Sequence, residues 1–128
     1  MNIPPINLKA QFKSVRRDIL RSIREILDEQ KLILGKYCTT LEEMIGCYVG
    51  VPHAIACANG TDALILSLMA LDIRDGDEVI TTPYTFFATA SSIALMGAKP
   101  VFVDIEPEDM NINPALIERA ITPRTKAI

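Results

Sequence analysis

Segments with strand character and segments with helix character alternate from residue 53 onward, and this alternation constrains the fold more than any other feature. The predicted strands are His53–Ala58, Glu78–Thr82 and Lys99–Ile105, with a fourth beginning in TPRTKAI (122–128). The predicted helices are 61–71, Phe86–Met96 and a helix capped by Asn113, with Pro114 first, that runs to about Ile121. RDGD (74–77) is a predicted turn before the second strand. Such alternation is typical of an α/β fold with a mainly parallel sheet and flanking helices.

Two helices are predicted before the first strand. Residues 10–34 place apolar side chains at helical spacing, with charges on the other face, and Gly35 would end this helix. Its apolar residues are Phe12, Val15, Ile19, Ile23, Ile26 and Leu27. Thr40 with Glu43 fits a capping box that would open a second helix, ending near Gly50. The first helix is expected to lie on a core or on a partner.

Composition disfavours several classes of function. The 128 residues are 49% hydrophobic and 23% charged, which fits one ordinary domain without an internal boundary. The net charge is −3 and the basic residues form no single block, so nucleic acid is a poor candidate partner. Apolar segments fall short of the ~20 residues of a membrane helix, and no signal peptide is visible. We therefore expect a cytoplasmic protein that does not enter a membrane.

The cysteines indicate neither a disulfide framework nor a metal site. Cys38, Cys47 and Cys57 form no CxxC pair, and an odd count without a secretion signal predicts reduced, mostly buried thiols. A zinc site takes about four ligands, which these cysteines and the lone His53 supply badly. We expect no bound metal.

The turn Asn59-Gly60-Thr61 lies between the first predicted strand and a helix that is apolar nearly all round and is therefore expected to be buried and rigid. The first turn of a helix carries unpaired N–H groups and partial positive charge, which suit a phosphate. Gly60 would let the backbone approach that ligand, and Thr61 adds a hydroxyl. Alternatively, Asn59 or Thr61 simply caps a core helix, with Asp62 favouring its positive end. Neither a P-loop nor a G-x-G-x-x-G pattern is present.

Three aromatic residues follow the second predicted strand, at the same expected edge of the sheet. Tyr84, Phe86 or Phe87 could stack on a flat ligand, although ordinary core packing is an alternative for each of them. A phosphate cradle beside an aromatic platform suggests a flat phosphorylated cofactor. Pyridoxal phosphate and a nucleotide both fit this description.

The end of the chain predicts a larger protein. A strand that starts with Lys126-Ala127-Ile128 should continue for several more apolar residues. We therefore expect these residues to be the N-terminal piece of a longer polypeptide.

Two stretches, ANGTDALILSLMAL (58–71) and GDEVITTPYTFFATASSIALMGAKPVFVDIEPEDMNINPALIERAITPRTKAI (76–128), resemble the DegT/StrS-type nucleotide-sugar aminotransferases. The lead-in INLKAQF…ILGKYCTTLEE…GVPHAIACANGT is also similar to the opening of that family. The resemblance covers essentially the whole chain. It implies the N-terminal part of the large domain of a fold-type-I enzyme that uses pyridoxal 5′-phosphate.

The resemblance implies roles for five residues in cofactor binding. Gly60 and Thr61 match the stretch that grips the phosphate, through the Thr61 hydroxyl and backbone N–H groups including that of Asp62. Phe86 matches the aromatic that stacks on the pyridine ring, and its neighbour Phe87 is expected to turn towards the core. Asn59 stands where serine is also common. The Asp62 carboxylate would repel a phosphate, so we expect it to point away and serve the helix end.

No catalytic residue is expected within the chain. The family's Schiff-base lysine and the aspartate that pairs with the pyridine nitrogen match no residue here, and Lys126 matches the start of a strand instead. The chain alone is therefore expected to be inactive.

For the parent protein, the resemblance implies amino transfer from an amino acid, with glutamate the expected donor, to a nucleotide-linked keto sugar, in a homodimer. A sugar dehydratase and a non-catalytic regulatory or binding protein on the same scaffold remain alternatives.

Overall fold

The computed structural model describes residues 6–128 and divides the chain into two compact units, one up to Ala56 and one over Cys57–Ile128. The first unit contains two helices, α1 (Leu8–Glu29) and α2 (Lys36–Val49). Side chains join them: Lys36 Nζ lies 2.7 Å from Glu29 Oε1, and the Tyr37 hydroxyl donates to Glu25 Oε2. The unit is therefore a helical pair.

Both helices of the first unit begin or end at residues other than those predicted. Helix α1 ends at Glu29, where Gln30 takes a left-handed conformation with φ 54°, so the predicted end at Gly35 is wrong. Gly35 instead precedes the first turn of α2 as its N-cap. The capping box was also wrong, because Thr40 lies one turn inside α2. The end near Gly50 is confirmed: this glycine has φ 77° and its N–H donates to the carbonyl of Gly46.

The predicted first strand, His53–Ala58, is not a strand in this structure. A strand needs a neighbour that takes up its backbone N–H and C=O groups. No segment of residues 6–128 pairs with it, and the Ala56 N–H donates to the Glu42 carboxylate at 2.8 Å instead. Its apolar sequence therefore does not produce a strand here.

The second unit is an α/β arrangement, as the sequence predicted. Its elements are α3 (Gly60–Ala70), β1 (Glu78–Thr81), α4 (Phe87–Leu95), β2 (Lys99–Phe102), α5 (Pro114–Ala120) and β3 (Thr125–Ala127). Its three strands form a sheet in the order β2-β1-β3, and both pairings are parallel. The register aligns Val79 with Pro100 and Ile80 with Val101. Pro100 is tolerated because β2 lies at an edge of this sheet.

Local sequence signals account for several of these boundaries. Gly76 adopts φ 85° in the predicted turn, where the Asp77 N–H donates to the Arg74 carbonyl at 3.1 Å. Gly97 follows α4 with φ 77°. Asn113 caps α5 as predicted, with its Oδ1 accepting from the Ala115 N–H at 2.9 Å. Glycine and asparagine are favoured at such positions because they tolerate or stabilise these backbone geometries.

The core of the second unit lies between β1 and the helices α3 and α4. Its buried apolar residues include Leu68, Ile73, Val79, Ile93 and Ala98, with Ile80 buried beside them. Helix α3 buries only Leu68, and Leu66 and Met69 remain about half exposed. The expectation that α3 is buried all round was therefore wrong for this chain, because one face packs and the described residues do not cover the rest.

The cysteines are free, as expected, but they are less buried than predicted. Cys47 and Cys57 are exposed and Cys38 is half-buried. Two of them lie in the first unit, where even the apolar residues of α1 and α2 are largely exposed. Among residues 6–128, no helix is long and apolar enough to cross a membrane.

A buried carboxylate joins the starts of the three strands. The Glu78 side chain is 3% exposed and accepts hydrogen bonds from the Thr122 hydroxyl at 2.6 Å and from Arg124 Nη2 at 2.7 Å. Lys99 Nζ lies 3.6 Å from the same carboxylate. The hydrogen bond from Thr122 and then that from Arg124 lower the pKa of Glu78 below its usual value of 4.5. The charged form therefore stabilises the folded sheet.

Glu78→Gln is expected to lower the melting temperature at neutral pH, because it removes a buried charge that two donors satisfy. A lowered pKa contributes stability that is present above the unfolded value and is lost as the pH falls below about 4.5. The variant should therefore lose less stability than the wild type on acidification. Thermal unfolding between pH 3 and 7 measures both effects. The control is Glu108→Gln, at an exposed residue; an equal loss in both variants would contradict the role of Glu78.

Candidate cofactor site

The turn before α3 is built around Asn59. This residue is extended, with φ −164° and ψ 175°, and its Oδ1 accepts from the Asp62 N–H at 2.9 Å. Its Nδ2 donates to Asp62 Oδ2 at 3.2 Å. Asn59 is therefore the N-cap of α3, as one of the two interpretations of the sequence proposed, and it also holds the side chain of Asp62.

Two backbone donors remain open at the start of α3. The N–H groups of Gly60 and Thr61 make no hydrogen bond within residues 6–128, whereas the Ala63 N–H donates to the Asn59 carbonyl. Gly60 is exposed, and a Cβ built on it would meet nothing within 4 Å. Thr61 is half-buried beside it. Two free N–H groups, a hydroxyl and open space in front of Gly60 match what a phosphate needs.

The geometry at Asp62 differs in one respect from the role that the resemblance implied. Its N–H was expected to face the phosphate, but in this structure that N–H donates to Asn59 Oδ1. A phosphate would have to displace the Asn59 amide oxygen to reach it. The part of Asp62 in phosphate binding therefore stays a prediction. Its carboxylate, bonded to Asn59 in the first turn, is placed where it favours the positive end of the helix.

The aromatic residues precede and open α4. Tyr84, Phe86 and Phe87 are 65%, 78% and 79% exposed. Phe86 is the N-cap residue, with φ −68° and ψ 145°, and its carbonyl accepts from the Thr89 N–H at 3.0 Å. Its ring is thus free to contact a ligand or a further part of the protein. Whether it stacks on the pyridine ring stays a prediction.

Phe87 does not lie in the core. We expected it to turn inward while Phe86 faced the ligand, but in this structure both are exposed to the same extent. The positions of α4 that face the core are Ala88, Ser92 and Ile93. Phe87 lies on another face of α4, beside Ala90 and Ala94 in an open apolar groove.

The candidate phosphate-binding turn and the aromatic residues lie in the same unit but at the starts of different helices. Asn59 and Asp62 are directly bonded at the start of α3, and Phe86 opens α4, which packs against α3. No hydrogen bond joins Phe86 to the Asn59–Asp62 turn within residues 6–128. The structure therefore brings together the phosphate-binding candidates, while the ring platform is linked to them only through helix packing.

One local feature was missed by the sequence reasoning. The hydroxyls of Thr85 and Thr89 lie 2.9 Å apart across the start of α4, and the Tyr84 N–H donates to Thr82 Oγ1 at 3.3 Å. The first contact links the residue before Phe86 to the first turn of α4, and the second lies in the turn that precedes it. The Thr-x-x-x-Thr spacing at a helix start was the available signal, because residues four apart meet on one helix face.

Comparison with known proteins identifies the family to which the chain belongs. Residues 13–128 match the DegT/DnrJ/EryC1/StrS aminotransferase family. The chain belongs to this family, as the resemblance in the sequence implied.

Two curated relatives match along nearly the whole chain. A UDP-2-acetamido-2-deoxy-3-oxo-D-glucuronate aminotransferase of Pseudomonas aeruginosa is 50% identical over 96% of the chain and 34% of its own length. A pleiotropic regulatory protein of Geobacillus stearothermophilus is 48% identical over the whole chain and 34% of its own length. The chain thus spans about a third of the length of the curated relatives that it matches.

Solved structures support the fold and the cofactor. DesV of S. venezuelae, solved with a ketimine intermediate, is 35% identical and has a TM-score of 0.93 over 96% of this chain and 33% of its own. The predicted α/β fold with a parallel sheet is thereby confirmed, and it matches the N-terminal portion of fold-type-I aminotransferases. Other neighbours were solved with pyridoxamine phosphate bound or in a pyridoxal phosphate form. Pyridoxal 5′-phosphate is the cofactor indicated for this family.

Proposed function

We propose that this chain supplies the phosphate cradle and the ring platform of a pyridoxal-phosphate-dependent sugar aminotransferase. The whole protein would move an amino group from glutamate to a keto sugar linked to a nucleotide. The observation that carries the proposal is the turn before α3, where the N–H groups of Gly60 and Thr61 are open beside an exposed glycine. The 50% identity between this chain and a UDP-sugar aminotransferase supports a nucleotide-linked sugar as the substrate.

Each residue of the proposed site has a separate task. Gly60 and Thr61 would donate backbone N–H groups to the phosphate, and the Thr61 hydroxyl would add a third donor. Asn59 would order the turn, and Asp62 would stay bonded to it. The exposed ring of Phe86 would cover one face of the pyridine. When bound, the cofactor supplies the capacity to delocalise the negative charge that develops at the reacting carbon.

The covalent part of the chemistry would come from outside these 128 residues. By the resemblance to the family, no lysine of this chain matches the cofactor-bearing lysine, and Lys126 is an exposed residue of β3. The relatives are about three times as long as this chain, so a whole protein of similar length would have room for that lysine. We also propose a cytoplasmic homodimer, and the largely exposed apolar stripe of α1 supports a covering partner.

Phe86→Leu in the whole protein is expected to weaken cofactor binding by a few-fold and to shift the cofactor's absorption, because a stacked ring contributes roughly 0.5–1.5 kcal/mol beyond its buried area. Phe87→Leu is the matched control, since its ring is exposed to the same extent. Cofactor titration by absorbance, together with thermal unfolding, separates the two variants. If Phe86→Leu lowers stability while the absorption stays unchanged, Phe86 is a packing residue.

The proposed function is tested by incubating the whole protein, loaded with pyridoxal phosphate, with UDP- and GDP-linked keto sugars and glutamate. The expected product is an amino sugar that still carries its nucleotide, formed only when both substrates are present. Mass spectrometry of the sugar and of 2-oxoglutarate measures the reaction. Loss of a sugar hydroxyl without consumption of glutamate would indicate the dehydratase instead.

A non-catalytic regulatory protein is the second candidate. The relative of 48% identity that is named a pleiotropic regulatory protein favours it. In that case the whole protein would bind cofactor or nucleotide sugar without forming either product.

A further inference from the structure

We propose that Asn59 is a positioning residue for the phosphate, acting through the carboxylate of Asp62. Its amide N–H restrains that carboxylate, so that a dianionic phosphate can approach a turn that carries its own negative charge. This inference rests on the proposed function. It assigns Asn59 an electrostatic task that is separate from capping α3.

The need for such a restraint follows from the position of Asp62. Gly60, Thr61 and Asp62 are the first three residues of α3, and a helix rises 1.5 Å per residue. The carboxylate therefore lies well within one Debye length, about 10 Å, of a phosphate bound to the first two N–H groups. Repulsion between like charges at that separation opposes binding. An aspartate in this turn helps the helix and hinders the ligand.

The two contacts of Asn59 are chemically distinct. Its Oδ1 accepts from the Asp62 N–H at 2.9 Å, which is the capping bond. Its Nδ2 donates to Asp62 Oδ2 at 3.2 Å, which fixes one carboxylate oxygen on the amide and places positive amide hydrogens against the negative charge. Serine replaces the first contact, since its hydroxyl oxygen accepts the capping bond. It has no separate amide donor for the second contact, and its single hydroxyl hydrogen sits on the same oxygen that accepts the capping bond, so it restrains the carboxylate less than Nδ2 does.

The substitution Asn59→Ser therefore separates the two tasks. If Asn59 acts only as a cap, serine should replace it with little change. If Asn59 restrains Asp62, serine should leave the carboxylate free to move toward the phosphate, and removing the charge with Asp62→Asn should abolish the effect of the substitution.

The test measures the dissociation constants of pyridoxal phosphate and of pyridoxal, which lacks the phosphate, for the whole apoprotein. The four forms are the wild type, Asn59→Ser, Asp62→Asn and the double variant. Asn7→Ser is the matched control, because Asn7 caps α1 through its Oδ1 in the same way. Circular dichroism and thermal unfolding check that each variant is folded. Should Asn59→Ser fail to fold, Asn59→Asp takes its place, since it keeps the capping oxygen and loses the donor.

Asn59→Ser is expected to weaken pyridoxal phosphate binding about two- to fivefold, the range of exposed charge interactions, and to leave pyridoxal unchanged. Asp62→Asn should tighten binding by a similar factor, and in that background Asn59→Ser should have no effect. Asn59→Asp should weaken binding more strongly. Asn7→Ser should change neither ligand.

An effect of Asn59→Ser that is the same with and without the Asp62 charge, or that is equal for pyridoxal, would overturn the inference. The inference would also be overturned if Asn59→Ser had no effect on pyridoxal phosphate binding while Thr61→Ala weakened it. If the whole protein does not bind pyridoxal phosphate, the proposed function fails and the inference fails with it. Equal binding after Thr61→Ala would remove only the Thr61 side chain from the site.

Discussion

Prepared alone, the 128-residue chain is expected to show no transamination above the rate of free pyridoxal phosphate with the same amino donor. The resemblance to the family implies that tight binding combines a phosphate cradle, a ring platform, a carboxylate on the ring nitrogen and a covalent lysine. The chain offers candidates for only the first two, in Gly60, Thr61 and Phe86. A steady-state assay with glutamate and a keto sugar, run beside the whole protein, measures this difference.

The same preparation tests the proposal that no lysine of this chain carries the cofactor. After incubation with pyridoxal phosphate and reduction with borohydride, peptide mapping should find low and scattered modification of exposed lysines such as Lys9 and Lys126. One stoichiometric site, above all at Lys126, with turnover that depends on the amino donor, would contradict the account.

Thr61→Ala in the whole protein is expected to weaken pyridoxal phosphate binding tenfold or more. The variant would remove the proposed charge-assisted hydrogen bond from the Thr61 hydroxyl to the phosphate, which is worth roughly 1.5–3 kcal/mol. Thr61→Ser should restore most of the affinity, because it keeps the hydroxyl. Thr40→Ala, at an exposed position of α2, is the control. An unchanged dissociation constant in Thr61→Ala would remove this residue from the site.

Much of the fold follows from local signals in the sequence. The turn at Gly76, the end of α2 at Gly50 and the Asn113–Pro114 start of α5 each depend on the backbone preferences of one or two residues. Such preferences act wherever the residue occurs, and these predictions are confirmed. The parallel pairing follows from the alternation itself, because strands joined through helices run in the same direction.

The predictions that were wrong depend on distant partners or on competing signals. The segment His53–Ala58 has the apolar pattern of a strand, but the described residues do not pair with it. Phe87 is apolar, yet its place on α4 faces away from the core, which the adjacent Ala88 enters. Thr40 and Glu43 match a capping box, although the helix had already begun at Lys36. Sequence pattern alone does not decide such cases.

In the candidate site, too, local features could be predicted from the sequence and contacts between distant residues could not. The sequence indicated that the turn before α3 was special, and it left open whether Asn59 caps the helix or serves a ligand. In the structure Asn59 is the cap, and the N–H groups of Gly60 and Thr61 stay open beside it. The two interpretations are therefore compatible. The buried position of Glu78 could not be predicted, because it depends on Thr122 and Arg124, more than 40 residues later.

Hydrogen exchange of the whole protein, with and without bound pyridoxal phosphate, tests the central claim most directly. Measured by mass spectrometry, a peptide that covers residues 58–63 should exchange more slowly when the cofactor is bound, since the Gly60 and Thr61 N–H groups would then be hydrogen-bonded. A peptide from α5 should not change. If the protein is saturated with cofactor and the peptide that covers residues 58–63 still exchanges at the same rate, the phosphate does not lie at the start of α3.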